Sequence, residues 1–345
     1  MQARIRKTEL DAFRAQAANL KVPSIIPILA FVKIEVKGDE CSVTKNNNKA
    51  FVIRTFQNDS EDCSFLVDEV TLYNFLNFSD AEYINFQLNG NRVRIYDERS
   101  FVEGVTEKAS LYGSLDLSNK EWTALPKLAL AAAGICSNLI FNGEIADPKS
   151  NVFIGKEHVA GTDGMVGYIQ KIESGLPDIE IPLRKEIALS ISKMNECQYS
   201  SNSSYDLFKD QNTLYGFSKG ETKFFNLVPL FQQIEQDLSF SIPKSIMTKF
   251  CSLCISSIQS KSKLPSATMK MNDGKLILSM EDSEIKIESF LALNGSLETF
   301  KFNPESMKTL LESLPCEVAY FYPGIKRYYI TDLDKTFLSV IMQII

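Results

Sequence analysis

The residues able to do acid–base, metal or nucleophilic chemistry are few and poorly spaced for it. His158 is the only histidine, so a histidine-based triad would have to be built on it, and nothing beside it resembles a nucleophile elbow. It reads as an ordinary polar residue of a turn or strand. Cys251 and Cys254 have the spacing of half a zinc site, yet no second pair or histidine accompanies them, and Phe250 and Leu253 mark the segment as a helix with the pair in its core face. The run Asp59-Ser60-Glu61-Asp62 lies between two segments of strand character and reads as a solvated loop, with a metal-binding loop as the alternative. Neither a P-loop nor a dinucleotide-binding glycine pattern occurs, so the chain brings no phosphate cradle of its own. The expectation is a protein that is not an enzyme and carries no cofactor or metal.

Binding is then a question of where charge sits. With 37 Lys and Arg against 43 Asp and Glu, the net charge of -6 describes no uniformly basic protein, but a polyanion partner depends on distribution rather than on the total. A length of 345 residues, 44% of them hydrophobic, suffices for two or three domains with real cores. The most apolar stretch, Leu125 to Phe141, is broken by Pro126, Lys127, Ser137 and Asn138 and falls short of the roughly 20 residues that span a bilayer. No apolar segment follows the basic start, so a secretory signal is not supported and a cytoplasmic location is expected. The cysteines, at 41, 63, 136, 197, 251, 254 and 316, are odd in number and set in apolar stretches, which predicts reduced thiols.

Hydrophobic periodicity places these residues on a recurring β-α-β-β-β unit. Strand Ala3 to Arg6, helix Lys7 to Ala18 with Leu10, Phe13 and Ala17 inward, and strands Ile28 to Val36, Cys41 to Lys45 and Ala50 to Phe56 form the first. Strand Cys63 to Val67, helix Asp68 to Asn77 and strands Tyr83 to Leu88, Arg92 to Asp97 and Phe101 to Val105 form the second. The middle third gives strand Ser114 to Leu117, helix Asn119 to Ala133 and strands near Leu139 to Ile145, Asn151 to Gly155 and Val166 to Ile172. It continues with strand Ile179 to Ile181, helix Arg184 to Met194 and strands near Ser204 to Lys209 and Thr213 to Ser218. The last third repeats the order around helices Pro243 to Cys254 and Pro304 to Ser313, ending on strand Phe337 to Ile344. Six units in three pairs imply an α+β fold of antiparallel sheets with one helix per unit.

The chain resembles the bacterial DNA sliding clamp family, the beta subunit of DNA polymerase III, over nearly its whole length. The likeness rests on Ile26-Pro27-Ile28-Leu29 leading into Val32 to Val36, and on Phe141-Asn142-Gly143, Gly161-Thr162-Asp163-Gly164 and Ile181-Pro182-Leu183-Arg184-Lys185 in that order. Phe300-Lys301-Phe302-Asn303 before a helix, and the apolar tail Val340 to Ile345, complete it. The resemblance implies three clamp domains, at 1–113, 114–228 and 229–345, with helices lining a ring and sheets outside. It implies a processivity factor that encircles double-stranded DNA without reading its sequence and recruits a polymerase and a clamp loader. The alternative is a clamp-fold adaptor or decoy that binds replication proteins without encircling DNA.

Charge on the expected helices suits the first reading, since they sum to +3 within a chain of -6. Arg6, Lys7, Arg14, Lys120, Lys127, Arg184, Lys185, Lys193, Lys244 and Lys249, with Lys308 beside them, are the candidate phosphate contacts. Helix Asp68 to Asn77 is acidic and counts against an evenly basic surface. By resemblance, partner peptides would dock in a cleft of Phe141, Thr162, Gly164, Pro229, Ile234, Ile325, Val340, Met342 and Ile344, with Thr162 helping to orient them. Met165-Val166-Gly167 and Gln343 depart from the family pattern there. Closure of a homodimer ring would set the strand region Arg94 to Val105 against Phe250 to Ile258, with Phe101 and Ile255 in apolar contact and Arg94 or Arg99 facing Glu284 or Glu288.

Overall fold

The computed structural model describes residues 2–18, 20, 26–113, 115, 117, 121–141, 147–176, 180–219, 237–257, 265–281, 286–292 and 299–344. Among them are six α-helices and four sheets, all of whose strand pairings are antiparallel. The chain divides into two compact units, one of Met1–Leu125 with Met194–Lys219 and one of Pro126–Lys193 with Gly220–Ile345.

The first unit opens with β1 (Gln2–Arg6), α1 (Lys7–Ala17), β2 (Phe31–Lys37), β3 (Glu40–Asn46), β4 (Ala50–Gln57) and β5 (Cys63–Asp68). It continues with α2 (Glu69–Phe78), β6 (Tyr83–Asn89), β7 (Arg92–Tyr96), β8 (Phe101–Val105) and β9 (Thr123–Leu125). Alternation drives the strands: Val32, Ile34 and Val36 of β2 are buried between polar neighbours. On α1 the stripe Leu10, Phe13 and Ala17 is buried as its spacing requires. Gly38 and Asn48 take φ of 60° and 68° in the Lys37-Gly38-Asp39 and Asn46-Asn47-Asn48 turns. Strands β1, β6, β7 and β8 form a four-stranded sheet in the order β1-β6-β7-β8.

The second unit holds α3 (Lys127–Leu139), β10 (Asn151–Ile154), β11 (His158–Thr162), β12 (Val166–Lys171), β13 (Ile181–Arg184) and α4 (Lys185–Ile191). Strands β14 (Cys197–Ser201), β15 (Tyr205–Lys209) and β16 (Thr213–Ser218) return to the first unit. The second unit resumes with β17 (Phe240–Pro243), α5 (Lys244–Ser257), β18 (Ala267–Asn272), β19 (Lys275–Glu281) and β20 (Lys286–Ala292). It ends with β21 (Phe300–Phe302), α6 (Pro304–Ser313), β22 (Val318–Gly324), β23 (Arg327–Thr331) and β24 (Phe337–Met342).

Each unit has an eight-stranded sheet, β5-β2-β3-β4-β16-β15-β14-β9 in the first and β13-β10-β11-β12-β24-β23-β22-β17 in the second. Both are joined at their central pair by strands remote in sequence, β4 with β16 and β12 with β24. Both seams set a glycine opposite a larger side chain. Gly216 faces Phe51, whose ring occupies the space a Cβ would take, 2.1 Å away, and Gly167 faces Val340, where the same distance is 3.2 Å.

Three expectations fail in the middle of the chain, in whole or at their described residues. Helix Asn119 to Ala133 is replaced by strand β9 followed by a helix that starts at Lys127, because Pro126 has no N–H to give a helix interior and instead occupies the cap position ahead of the first turn. Ser114 to Leu117 forms no strand at its described residues, Leu139 closes α3, and 142–146 lie outside the described residues. Strands β11 and β14 were not foreseen: Ala160-Gly161 and Ser200-Ser201 dilute the alternation that reveals a strand.

Candidate functional site

The basic residues fall into two groups. In α1, Asp11 lies 2.9 Å from Lys7 Nζ and 3.7 Å from Arg14, so one carboxylate neutralises part of both, and Arg14 also donates to the Asn77 side-chain oxygen at 2.6 Å. Lys244 donates to the Leu314 carbonyl at 2.8 Å, closing the end of α6, and Lys308 pairs with Glu312 at 3.8 Å. Arg6 is exposed and donates to the Tyr83 hydroxyl at 3.2 Å. By contrast, no ion pair engages Lys127, Arg184, Lys185, Lys193 or Lys249 among the described residues. Lys120 lies outside the described residues.

With their observed bounds the helices carry a net charge of +1 rather than +3. The positive charge that leaves is that of Arg6 and Arg184, which precede α1 and α4, and of Lys193 beyond α4, offset by Asp68 ahead of α2; Lys7, Lys127, Lys185 and Lys244 are the first residues of their helices. A cation there opposes the helix dipole, which favours an anion at an N-terminus. No side-chain hydrogen bond caps α1, α3 or α4, whereas Asp68 and Asn303 cap α2 and α6. The uncapped amides and adjacent cations together form a phosphate-seeking arrangement. This Lys-at-first-turn repeat is legible in the sequence once the junctions are known: the expected start at Lys7 matches α1, but the helices expected from Asn119, Arg184 and Pro243 begin one or more residues too early, which hides the repeat.

The acidity of α2 has a structural explanation. Asp68 accepts from the Thr71 backbone N–H at 2.8 Å and its hydroxyl at 2.7 Å, while Glu69 meets the buried Lys45 at 2.5 Å. Both carboxylates are spent inside the unit, and the exposed face of α2 is uncharged, with Val70 and Phe78 on it. The exposed side of α3 is likewise apolar beyond Lys127, with Leu128 half-exposed.

The predicted cleft residues gather along the β12–β24 seam of the second unit. Gly167 touches both Thr162 and Val340, Met342 N–H donates to the Met165 carbonyl at 2.8 Å, and Gln343 N–H to that of Lys326 at 2.9 Å, next to Ile325. Phe141 N–H donates to the Lys149 carbonyl at 3.0 Å, and the Lys149 side chain lies over Gly164. Phe141 and Ile325 are exposed, Met342 and Ile344 half-buried, and Val340 is core, packed with Ala160, Ile169, Tyr322 and Tyr329. Pro229 and Ile234 lie outside the described residues. The Thr162 hydroxyl donates to the Val166 carbonyl at 2.6 Å and accepts from Gly164 N–H at 2.9 Å, so it holds its own turn. Two further basic residues border the seam, Lys149 over Gly164 and Arg327 opposite Met342 on the β23–β24 pair, and neither was named from the sequence.

In the first unit β8 is an open sheet edge, while the opposite edge, β1, is sealed by Ser60 and Asn58, which bond the Arg4 N–H and carbonyl at 2.9 and 2.8 Å. Phe101 and Val105 of β8 are 60% and 54% exposed, and Phe78 and Val70 of α2 are 70% and 66% exposed. Phe78 and Phe101 line a groove of about 310 Å³ with Thr71, Asn74 and Phe75. Arg94 lies over the Phe101 ring at 4.0 Å, and Arg99 follows it in the β7–β8 turn. In the second unit Phe250 is core and offers no contact surface, Ile255 is half-buried, and Leu253, not anticipated, is 52% exposed. Glu288 is exposed on the edge strand β20, and Glu284 lies outside the described residues.

Among the described residues, the groups singled out for chemistry are buried or paired. His158 is within 3.3 Å of Glu180, yet burial lowers its pKa against the pull of Glu157. Cys251 and Cys254 are buried; desolvation pushes Cys254 up to about 11 and Cys251 higher still. No group of three or more metal-ligating side chains occurs among the described residues, and no described helix is long and apolar enough to cross a membrane.

No protein-family model and no curated protein sequence matches the chain. Solved structures do. A DnaN sliding clamp, DNA polymerase III subunit beta, from Pseudomonas aeruginosa bound to griselimycin superposes with a TM-score of 0.89 at 13% identity, covering 100% of this chain and 99% of that one. A putative DNA polymerase III beta subunit from Eubacterium rectale gives 0.87 at 14%, and a DNA polymerase sliding clamp from Bacillus subtilis 0.86 at 14%, with the same coverage. The chain has the fold of these clamps from end to end, on a sequence that has diverged far from theirs.

Proposed function

We propose that the chain is a DNA sliding clamp: a non-enzymatic, cytoplasmic processivity factor that closes as a head-to-tail homodimer around duplex DNA and tethers a polymerase and a clamp loader through short peptides. The observation that carries this reading is the pairing of a full-length clamp fold with an open, apolar-flanked edge at β8. A sheet edge with exposed Phe101, Val105 and Phe78 calls for a partner strand, and a second copy supplies one. The three-domain division at 1–113, 114–228 and 229–345 belongs to the same proposal; the middle segment contributes strands to both large sheets.

The DNA face is assigned to Arg184, Lys185, Lys193, Lys127 and Lys249, which enter no ion pair among the described residues; Arg6 is left out of it, because it projects with Arg4 from the solvent face of the sheet β1-β6-β7-β8. The peptide cleft is assigned to Phe141, Gly164, Ile325, Met342 and Ile344, with Val340 and Gly167 as its floor and Lys149 on its rim. One observation favours the second reading, an adaptor that does not encircle DNA: the helices carry little net charge, and the outward face of α3 is mostly apolar.

Retention on DNA separates the two. Protein assembled on a nicked circle, by a loader or at low salt, is expected to survive a high-salt wash and to be lost when the circle is linearised. Loss from both forms alike would leave the fold and remove the encircling ring.

A further inference from the structure

Only nine of the chain's 37 basic residues are arginine, yet every basic residue on the sheet β1-β6-β7-β8 is one. Arg4, Arg6, Arg92 and Arg94 project from its solvent face, opposite the buried Ala3, Ile5, Val93 and Ile95. They are interleaved with aromatic rings: the Arg4 guanidinium lies 4.1 Å from the Tyr83 centroid, and that of Arg94 lies 4.0 Å from Phe101 and 5.7 Å from Tyr96. Lysine would supply charge alone, whereas a planar guanidinium stacks and forks to paired oxygens. Arg94 Nε is shielded from water and has no acceptor, a donor that a ligand oxygen would satisfy.

We propose that this sheet face binds single-stranded nucleic acid. Strand pairing sets Asn85 opposite both Arg4 and Tyr96, which makes Tyr83 and Tyr96 diagonal neighbours on the two central strands, about 7 Å apart. That spacing admits one unstacked base at each ring, with the β1 and β7 arginines about 10 Å apart on either side for the backbone. Bases in a duplex keep their faces covered and cannot use such a platform. Charge alone does not account for the face either: Glu103 sits 4.0 Å from Arg92, and Asp80, Glu82 and Glu98 rim the cleft beside Arg4, so stacking must supply part of the affinity. Phe101 and Val105 stand on this same face, opposite Tyr96 and Arg92, so closure of a ring through β8 would cover its Arg94–Phe101 corner and leave Arg4, Tyr83 and Tyr96 open, whereas an unclosed chain presents the whole face.

The test is fluorescence anisotropy of labelled oligo-dT with the full chain over a range of salt, with thermal melting of each variant. Wild type is expected to bind with a steep salt dependence, to resist competition by duplex, and to lose affinity about tenfold or more in Arg4→Ala/Arg94→Ala and in Tyr83→Leu. Arg4→Lys/Arg94→Lys, which keeps the charge and guards against a folding defect in the alanine variant, is expected to fall between. Equal binding by the lysine variant, equal competition by poly-glutamate, or no binding by wild type at low salt would each overturn the proposal. Failure of retention on circles alone would leave it standing.

Discussion

Arg184 at the N-cap and Lys185 at the start of α4 stand where the helix dipole disfavours a cation, with Glu186 the acidic residue of that turn and no ion pair to either cation among the described residues. Cations kept at an unfavourable place and left unpaired are available to an outside anion, which is the reason to weigh them above Lys7 and Lys244. The sequence displays all of these residues alike. What it conceals is that Asp11 shields Lys7, and that Lys244 reaches a carbonyl 70 residues away. Reversing Arg184, Lys185 and Lys193 together to glutamate should therefore lower loading on primed circles by about tenfold or more and flatten its salt dependence by about one unit per lost phosphate contact. The solution mass should not change. Normal processive synthesis by that triple variant would remove these residues from the DNA face.

At the scale of elements, alternation and turn chemistry were enough to place most strands, α1 and α6, since Val32-Ile34-Val36 and Leu10-Phe13-Ala17 leave little choice of period. They were not enough around Pro126. A strongly apolar run reads as a helix from either side of the proline, and only the antiparallel pairing of β9 with β14, more than 70 residues on, commits Thr123–Leu125 to a sheet. The seams were equally hidden, because neither Gly216 nor Gly167 carries any sign of its partner. Gly216→Ala tests whether the β4–β16 seam is as tight as the Phe51 contact implies. A Cβ there must displace a fully buried ring that also packs edge-on against Tyr205 at 5.2 Å. Chemical denaturation should register a loss of about 1–3 kcal/mol, partly restored by trimming Phe51 to Leu in the same chain. A neutral Gly216→Ala would mean that the seam opens without cost.

For the whole molecule, ring closure demands two complementary surfaces on one chain, because a head-to-tail interface repeats until it closes. The β8 edge with Phe101, Val105 and Phe78 is proposed as one, and the region of α5 and β20 bearing Leu253, Ile255 and Glu288 as the other. A dimeric ring contains that interface twice, so any defect in it counts twice. Burying Phe101 contributes about 1.5–3 kcal/mol at each site, and Phe101→Asp both forfeits this and asks a carboxylate to leave water. The dimer dissociation constant should then rise by at least two to four decades. Light scattering should report a mass near twice 38.8 kDa for wild type and near 38.8 kDa for the variant at micromolar concentration. Both should melt at similar temperatures, since Phe101 is already 60% exposed in the single chain. A variant that keeps the dimer mass would move the interface away from β8. A wild type that is itself monomeric and slips from nicked circles would make the exposed β8 edge a docking strand for a different protein, which is what an adaptor on this fold would need.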